Sequence, residues 1–299
     1  MAAGGAVLPA PAAERPPRRR GLAWLGLAPF LAFTALFLIV PTVILMVGAF
    51  QDRTGGVTLA NLARLLERPD LLASFSISLR ISAASATVGA LLGLGLALAV
   101  TSPHVPRPVR AIASTFGGVA SQFAGVPLAF AFLATLGRVG LVTMLLRDVA
   151  GFNLYATGFT LLGFWGLTLT YLYFQIPLMM LIILPALDGL KPEWREATLI
   201  LGGSSWTYWS RVALPILWPS VLGAAFLLFA NAFGAVATAY ALTGSSLSLV
   251  TIQLFAQIRG DVLNDPNLGY AIAFAMVAIT CASNGIYIWL RGRSERWLR

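Results

Sequence analysis

The sequence predicts an all-α integral membrane protein with six transmembrane helices and both termini in the cytoplasm, and three observations carry the prediction. Of 299 residues, 58% are hydrophobic and 10% charged, far below the roughly 25% charge of soluble domains. The apolar residues fall in six runs long enough to cross about 30 Å of hydrocarbon, which takes about 20 residues. The basic residues gather at the ends of those runs, mostly on one side.

The first run spans about Leu25 to Phe50. Arg18, Arg19 and Arg20 precede it as they would a secretory signal, but it is too long for a signal core and no small-x-small cleavage site ends it, so it reads as a retained span. Residues 1–20, rich in Ala, Pro, Gly and Arg, form the expected disordered cytoplasmic leader. The second run covers about Ile77 to Val100, the third Ala111 to Leu136 and the fourth Thr160 to Leu184. The fifth lies near Leu217 to Leu242 and the sixth near Leu268 to Leu290. All must be helical, because a lipid-facing backbone satisfies its polar groups within the segment unless a barrel closes. Barrel strands would be about ten residues of strict alternation, and these runs do not alternate. Residues 21–290 therefore form the transmembrane domain, and 291–299 a basic tail.

Orientation follows from the connections. The N-terminal tail, the 2–3 loop, the 4–5 loop and the C-terminal tail together hold 13 of the 20 basic residues and a net charge of +8; the opposite side nets +1. The basic side faces the cytoplasm. An even number of spans independently puts both ends on one side. This placement also accounts for the formal charge of +9 without a nucleic-acid partner.

Enzymatic and cofactor chemistry finds no foothold. His104 is the only histidine and Cys281 the only cysteine, so neither a two-histidine site nor a cysteine-based metal site can be built in this chain. No GxxxxGK[ST] phosphate loop is present. The spans are nearly free of ionisable groups, whereas a proton-coupled transporter needs a buried carboxylate or histidine; Arg80 sits at an outer span end and can snorkel. Gln122, Gln175, Asn231 and Asn284 are intramembrane amides, able to bond between helices or to line a translocation pathway. Gly89 and Gly93 form a close-packing GxxxG pair, and Pro127 and Pro177 are expected to kink their spans.

The 4–5 loop, about Ala186 to Ile216, is long and mixed in polarity. Pro192 suits a first helical turn, and Glu193 and Glu196 sit near that helix's positive end. Trp194, Ala197 and Leu201 fall at i, i+3 and i+7 as one apolar face, and Gly202 and Gly203 stop the helix. Ser204 or Ser205 then caps a second short helix that ends near Pro215. This helix-turn-helix fits either a protein-docking surface or an amphipathic hairpin resting among lipid headgroups.

Here the sequence resembles a known family. Glu196-Ala197-Thr198, then Gly202, then Val212, Leu214 and Pro215 follow the EAA loop of ABC importer permeases, E-A-A, three residues, G, nine residues, I, one residue, L-P. Thr198 replaces the second Ala and Val212 the Ile. The resemblance extends over most of the chain, from APFLAF with Pro41 to FQIPLMMLIILPALDGLKPEWREAT. It implies the type I importer permease architecture in a bacterial inner membrane, a non-catalytic subunit and no cofactor. It implies as partners a cytoplasmic ATPase dimer that hydrolyses the ATP, a second permease subunit (a paralogue sooner than an identical copy) and an extracytoplasmic solute-binding protein. Glu196 would make polar contact with the ATPase, Ala197 would allow close approach, and Gly202 would allow the turn.

The fourth-span text, NAFGAVATAYALTG and DPNLGYA look most like permeases of the polyamine, iron(III) and aminoethylphosphonate group; sugar importers and, more remotely, an ATPase-free secondary transporter are the alternatives. A polyamine would favour acidic groups, with Asp261 and Asp265 as outer-loop candidates. A phosphonate would favour backbone N–H groups or Arg80.

Overall fold

The computed structural model describes residues 23–52, 54–259 and 265–295. The leader, Asp261 and residues 296–299 of the tail lie outside the described residues. The chain divides into two compact units, one ending at Val47 and the other beginning at Gly48. Among the described residues everything regular is helical, apart from one isolated antiparallel bridge between Gln51 and Val57.

The first unit carries helix α1, Ala23–Thr34, which runs through a π turn at Ala35–Ile39 into α2, Val40–Gly48. A short amphipathic helix α3, Ala60–Glu67, leads to α4, Pro69–Val100. At 32 residues α4 is about 48 Å long, and it starts eight residues before the expected Ile77. The added turns are held by burial. Leu71 and Phe75 pack with Leu65 of α3 and with Val250, Leu268, Ala271 and Ile272 further along the chain, while Ser78 Oγ accepts a hydrogen bond from Val250 N at 3.0 Å.

The expected third span is not one helix. It is divided into α5, Arg107–Gln122, and α6, Val126–Leu136, by Phe123, Ala124 and Gly125. Gly125 has φ 78° and ψ −148°, a region essentially closed to residues with a β-carbon. Pro127, expected to kink a span, instead stands in the first turn of α6, where its missing N–H costs nothing. A short helix α7, Leu141–Asp148, follows, and the apolar stretch of spanning length here is Val126–Asp148 rather than 111–136. The fourth span, α8, Phe164–Asp188, continues through both Pro177 and Pro185.

After the loop helices α9, Pro192–Ile200, and α10, Ser205–Tyr208, the fifth span α11 runs Leu214–Phe233. It stops nine residues short of the expected Leu242, at Gly234 and Ala235, and α12 resumes at Val236–Thr243. Helices α13, Val250–Arg259, and α14, Pro266–Glu295, complete the chain. Among the described residues six stretches have the length and hydropathy to cross a bilayer, as a multi-pass membrane protein requires.

The centre of the second unit is the α4–α8 seam. A β-carbon on Gly93 would lie 2.5 Å from Met179 Cβ and 2.6 Å from the Ile176 carbonyl oxygen, and one on Gly89 would lie 2.9 Å from Gln175 Cβ. Small residues let backbones approach where dispersion, rather than water exclusion, holds helices together. Ala86, Ala90, Met179, Met180, Ala224 and Leu228 fill the space around the seam.

A candidate coupling surface and a candidate transport cavity

Two places combine exposure with chemistry. The first is the 4–5 loop. Pro192 opens α9 and Glu193 lies in its first turn. Thr198 Oγ1 donates to the Trp194 carbonyl at 2.8 Å. Gly202, at φ 77°, reverses the chain, with the Gly202 and Gly203 N–H groups donating to the Leu199 and Thr198 carbonyls at 3.0 and 2.9 Å. Ser204 caps α10 in a reciprocal box with Thr207, so both expected helices and the glycine turn between them are present.

The second loop helix departs from expectation at its far end, because it does not stop near Pro215. It passes through a π turn, Trp209–Ala213, straight into α11, with Pro215 in the first turn. Proline has no N–H to give the carbonyl four residues back and its ring crowds that carbonyl. The π turn absorbs the conflict, with Leu214 N donating to the Trp209 carbonyl.

Large apolar side chains stand exposed around the turn of this hairpin, among charged ones such as Glu193 and Arg195. Ile200 is 85% exposed, Leu201 86% and Trp206 77%, while Glu196 and Ala197 are exposed and Thr198 and Val212 half-buried. Leu214 and Pro215 are exposed at the start of α11. A groove of about 620 Å³ lies beside it, lined by residues including Thr101, Asp188, Lys191, Arg195, Glu196 and Tyr208. Arg110 reaches across from the start of α5 to clamp Asp188, at 2.6 and 2.8 Å, tying the 2–3 loop to the end of α8.

The second place is where the two broken helices meet. Gly125 N donates to Thr238 Oγ1 at 2.7 Å, joining the α5/α6 break to α12. Tyr171 of α8 donates its hydroxyl to the Ala235 carbonyl at 2.9 Å, fixing the α11/α12 break. Between them lies a cavity of about 430 Å³, within the range of small-solute sites. Its polar lining includes Ser121, Gln122, Asn231 and Thr238, and Gly125 and Ala237 supply backbone.

Of the four amides singled out in the sequence, Gln122 and Asn231 line this cavity together, while Asn284 donates within α14 to the Thr280 carbonyl at 3.0 Å. Gln175 does not line it: fully buried in the α4–α8 seam, it donates through Nε2 to Ser85 Oγ at 2.8 Å, and its Oε1 has no hydrogen-bond partner. Arg80 is exposed on α4 and is absent from the cavity lining. Asp265 lies 3.9 Å from Arg64 and accepts from Leu268 N. Sequence reasoning missed Gly125, Thr238 and Tyr171. The signal for the first was present, since a glycine two residues before a proline marks a break within an apolar run.

No family model matches the chain. Among curated proteins it is 23% identical to the spermidine/putrescine transport system permease protein PotC of Escherichia coli K12, over 80% of this chain and 84% of that protein. It is 25% identical to the molybdenum transport system permease protein ModB of Mycobacterium tuberculosis, over 72% and 78%, and 26% identical to a probable sulfate transport system permease protein, cysT, of Anthoceros angustus, over 58% and 57%. Among solved structures it superposes on a chain of a bacterial ABC transporter involved in the import of the acidic polysaccharide alginate, with a TM-score of 0.68 over 92% of this chain and 95% of that one, at 16% identity. A bacterial alginate ABC transporter in complex with an alginate pentasaccharide-bound periplasmic protein matches with a TM-score of 0.66, also at 16% identity.

Proposed function

We propose that this chain, an ABC importer permease by its fold and by the likeness of its sequence to such permeases, passes a small solute of the polyamine, phosphonate or iron(III) type through the cavity between its two broken helices. A separate cytoplasmic ATPase, seated on α9 and α10, supplies the motion. A second permease subunit, a paralogue, completes the path, and an extracytoplasmic binding protein delivers the solute. Both termini lie on the ATPase side.

One observation carries the reading. Ser205–Phe233 is an unbroken helical run of 29 residues, about 44 Å at 1.5 Å per residue, with the candidate docking hairpin at one end and Asn231 of the cavity near the other. A push on the hairpin is delivered to the α11/α12 break with no flexible joint between. Docking also gives a partner to Ile200, Leu201 and Trp206, whose contiguous exposure otherwise marks an unfilled interaction surface. In this reading Glu196, Ala197, Thr198, Gly202, Val212, Leu214 and Pro215 form or brace the ATPase seat. The PotC, ModB and cysT names and the alginate structures point to four different solutes, and fold likeness at 16% identity transfers none of them.

The test is co-purification with the ATPase and ATP-driven uptake in proteoliposomes, comparing the parent with Glu196→Ala and Gly202→Asp. Both variants should lose ATPase retention and coupled uptake. If both bind and couple as well as the parent, the docking assignment fails, and uptake with no ATPase present defeats the importer reading altogether.

A further inference from the structure

We infer that Arg110 and Asp188 are positioning residues for coupling: their ion pair holds α5 in register on the root of the 4–5 hairpin, so that a displacement of the hairpin reaches Gln122 in the cavity as well as Asn231. The inference rests on the hairpin being the ATPase seat.

Helices α5 and α8 lie antiparallel, with contacts at three levels. At the hairpin end, Arg110 Nη2 donates to both carboxylate oxygens of Asp188, at 2.6 and 2.8 Å. About two turns further along α5, a β-carbon on Gly117 would lie 2.5 Å from Met180 Cε. Just past the end of α5, Phe123 meets Tyr173 edge to face with 5.9 Å between centroids. The second and third contacts are apolar and can slide, because a methionine side chain adapts its shape and aromatic pairs accept a range of offsets. Of the three, the ion pair alone is directional. Asp188 ends α8, and only Gly189, Leu190 and Lys191 separate it from Pro192 at the start of α9. Gln122 ends α5, about 24 Å from the first residue of that helix, and lines the cavity. Helix α5 therefore matches the Ser205–Phe233 run: each has one end at the hairpin and an amide of the cavity near the other.

Local energetics gives neither charge a reason to be where it is. Arg110 is the fourth residue of α5, close to that helix's positive end, and Asp188 is the last residue of α8, at its negative end. The helix dipole opposes a cation at the first place and an anion at the second. Fold stability does not ask for the pair either: the two side chains are 39% and 55% exposed, and ion pairs so open to water contribute little. What the two residues gain from their positions is each other. The pair also stands beside the hairpin itself, since Thr101 and Pro103 of the 2–3 loop line the groove of about 620 Å³ together with Asp188, Arg195 and Glu196. A weak, directional link at the foot of a long helix sets where that helix sits without locking it, which is what a part that must move with the hairpin requires.

The experiment uses this chain assembled with its partner permease and ATPase in proteoliposomes, and needs no knowledge of the solute. With Cys281→Ser as background, Gln122→Cys and Asn231→Cys are labelled in turn with a water-soluble maleimide, nucleotide-free and after trapping with ATP and vanadate. Both positions should change their labelling rate on trapping. Arg110→Gln and Asp188→Asn should each shrink the change at position 122 about twofold to fivefold, the weight an exposed ion pair carries in an equilibrium, and leave the change at position 231 and the retention of the ATPase as in the parent. Arg110→Asp together with Asp188→Arg remakes the pair with each charge at its favoured helix end and should restore the response at position 122, which a mere loss of fold would not allow. An undiminished response at position 122 in both neutral variants, an equal loss at both positions, loss of ATPase retention, no response at position 122 in the parent, or failure of the swapped pair to restore it overturns the inference and leaves the importer reading standing. A parent chain that retains no ATPase, or that responds to trapping at neither position, overturns the importer reading instead, and this inference falls with it.

Discussion

Replacing Gly93 by alanine should weaken the protein, whereas the same change two residues later at Gly95 should not. At Gly93 the new β-carbon would meet Met179 Cβ at 2.5 Å and the Ile176 carbonyl oxygen at 2.6 Å; at Gly95 there is nothing within 4 Å. Ordinary contact lies near 3.5–4.0 Å, so α4 and α8 must part by about 1 Å at Gly93, and a backbone carbonyl cannot swing aside as a side chain can. Overpacking of this kind costs about 1–3 kcal/mol. Alanine also favours the helix over glycine by about 1 kcal/mol, but that gain is common to both sites and cancels when the two variants are compared. The expected gap is therefore about 1–3 kcal/mol, with Gly95→Ala at or above the parent. Reversible unfolding in mixed detergent and SDS, followed by circular dichroism, reads it directly. Equal stability of the two variants would refute the seam as the close contact of this fold.

Two further outcomes follow from the breaks and the loop. Thr238→Val removes the acceptor for Gly125 N and should cost about 0.6–1.7 kcal/mol in the same unfolding measurement, the range found for hydrogen bonds between membrane helices, while Thr238→Ser should recover most of the loss; a serine no better than valine would show that the 2.7 Å bond does not link the two breaks. Gly202→Ala meets open space but must adopt φ 77°, a strain of roughly 1–2 kcal/mol for an L-residue; it should weaken ATPase retention several-fold without lowering the stability of the spans, and unchanged retention would mean that the turn is not needed for docking.

The spans were legible because the bilayer leaves few choices. Twenty apolar residues in a row must be helical and must cross, so six spans could be counted from composition and periodicity. The loop hairpin was legible for a different reason: Pro192, Gly202 and Ser204 act on their own backbone, and such rules need no tertiary partner. Thus the expected start of α9, its reversal at Gly202 and the cap on α10 appear where local chemistry puts them.

Hydropathy could not see the interruptions. Residues 111–136 and 217–242 each read as one run in spite of Gln122 and Asn231 within them, and an average over them is blind to a three-residue gap at Phe123–Gly125 or a two-residue gap at Gly234–Ala235. Nor could it foresee that Gln175 is sealed against Ser85 while Gln122 and Asn231, 109 residues apart in sequence, share a cavity. What the sequence determined alone is the number of stretches able to cross and the local form of the 4–5 hairpin, each set by groups near one another in the chain. Where the helices break, and which polar residues those breaks gather, was decided by bonds such as Gly125 to Thr238 and Tyr171 to Ala235. A backbone group released from a helix inside a membrane must find a partner on another helix, and that partner exists only after the chain has packed.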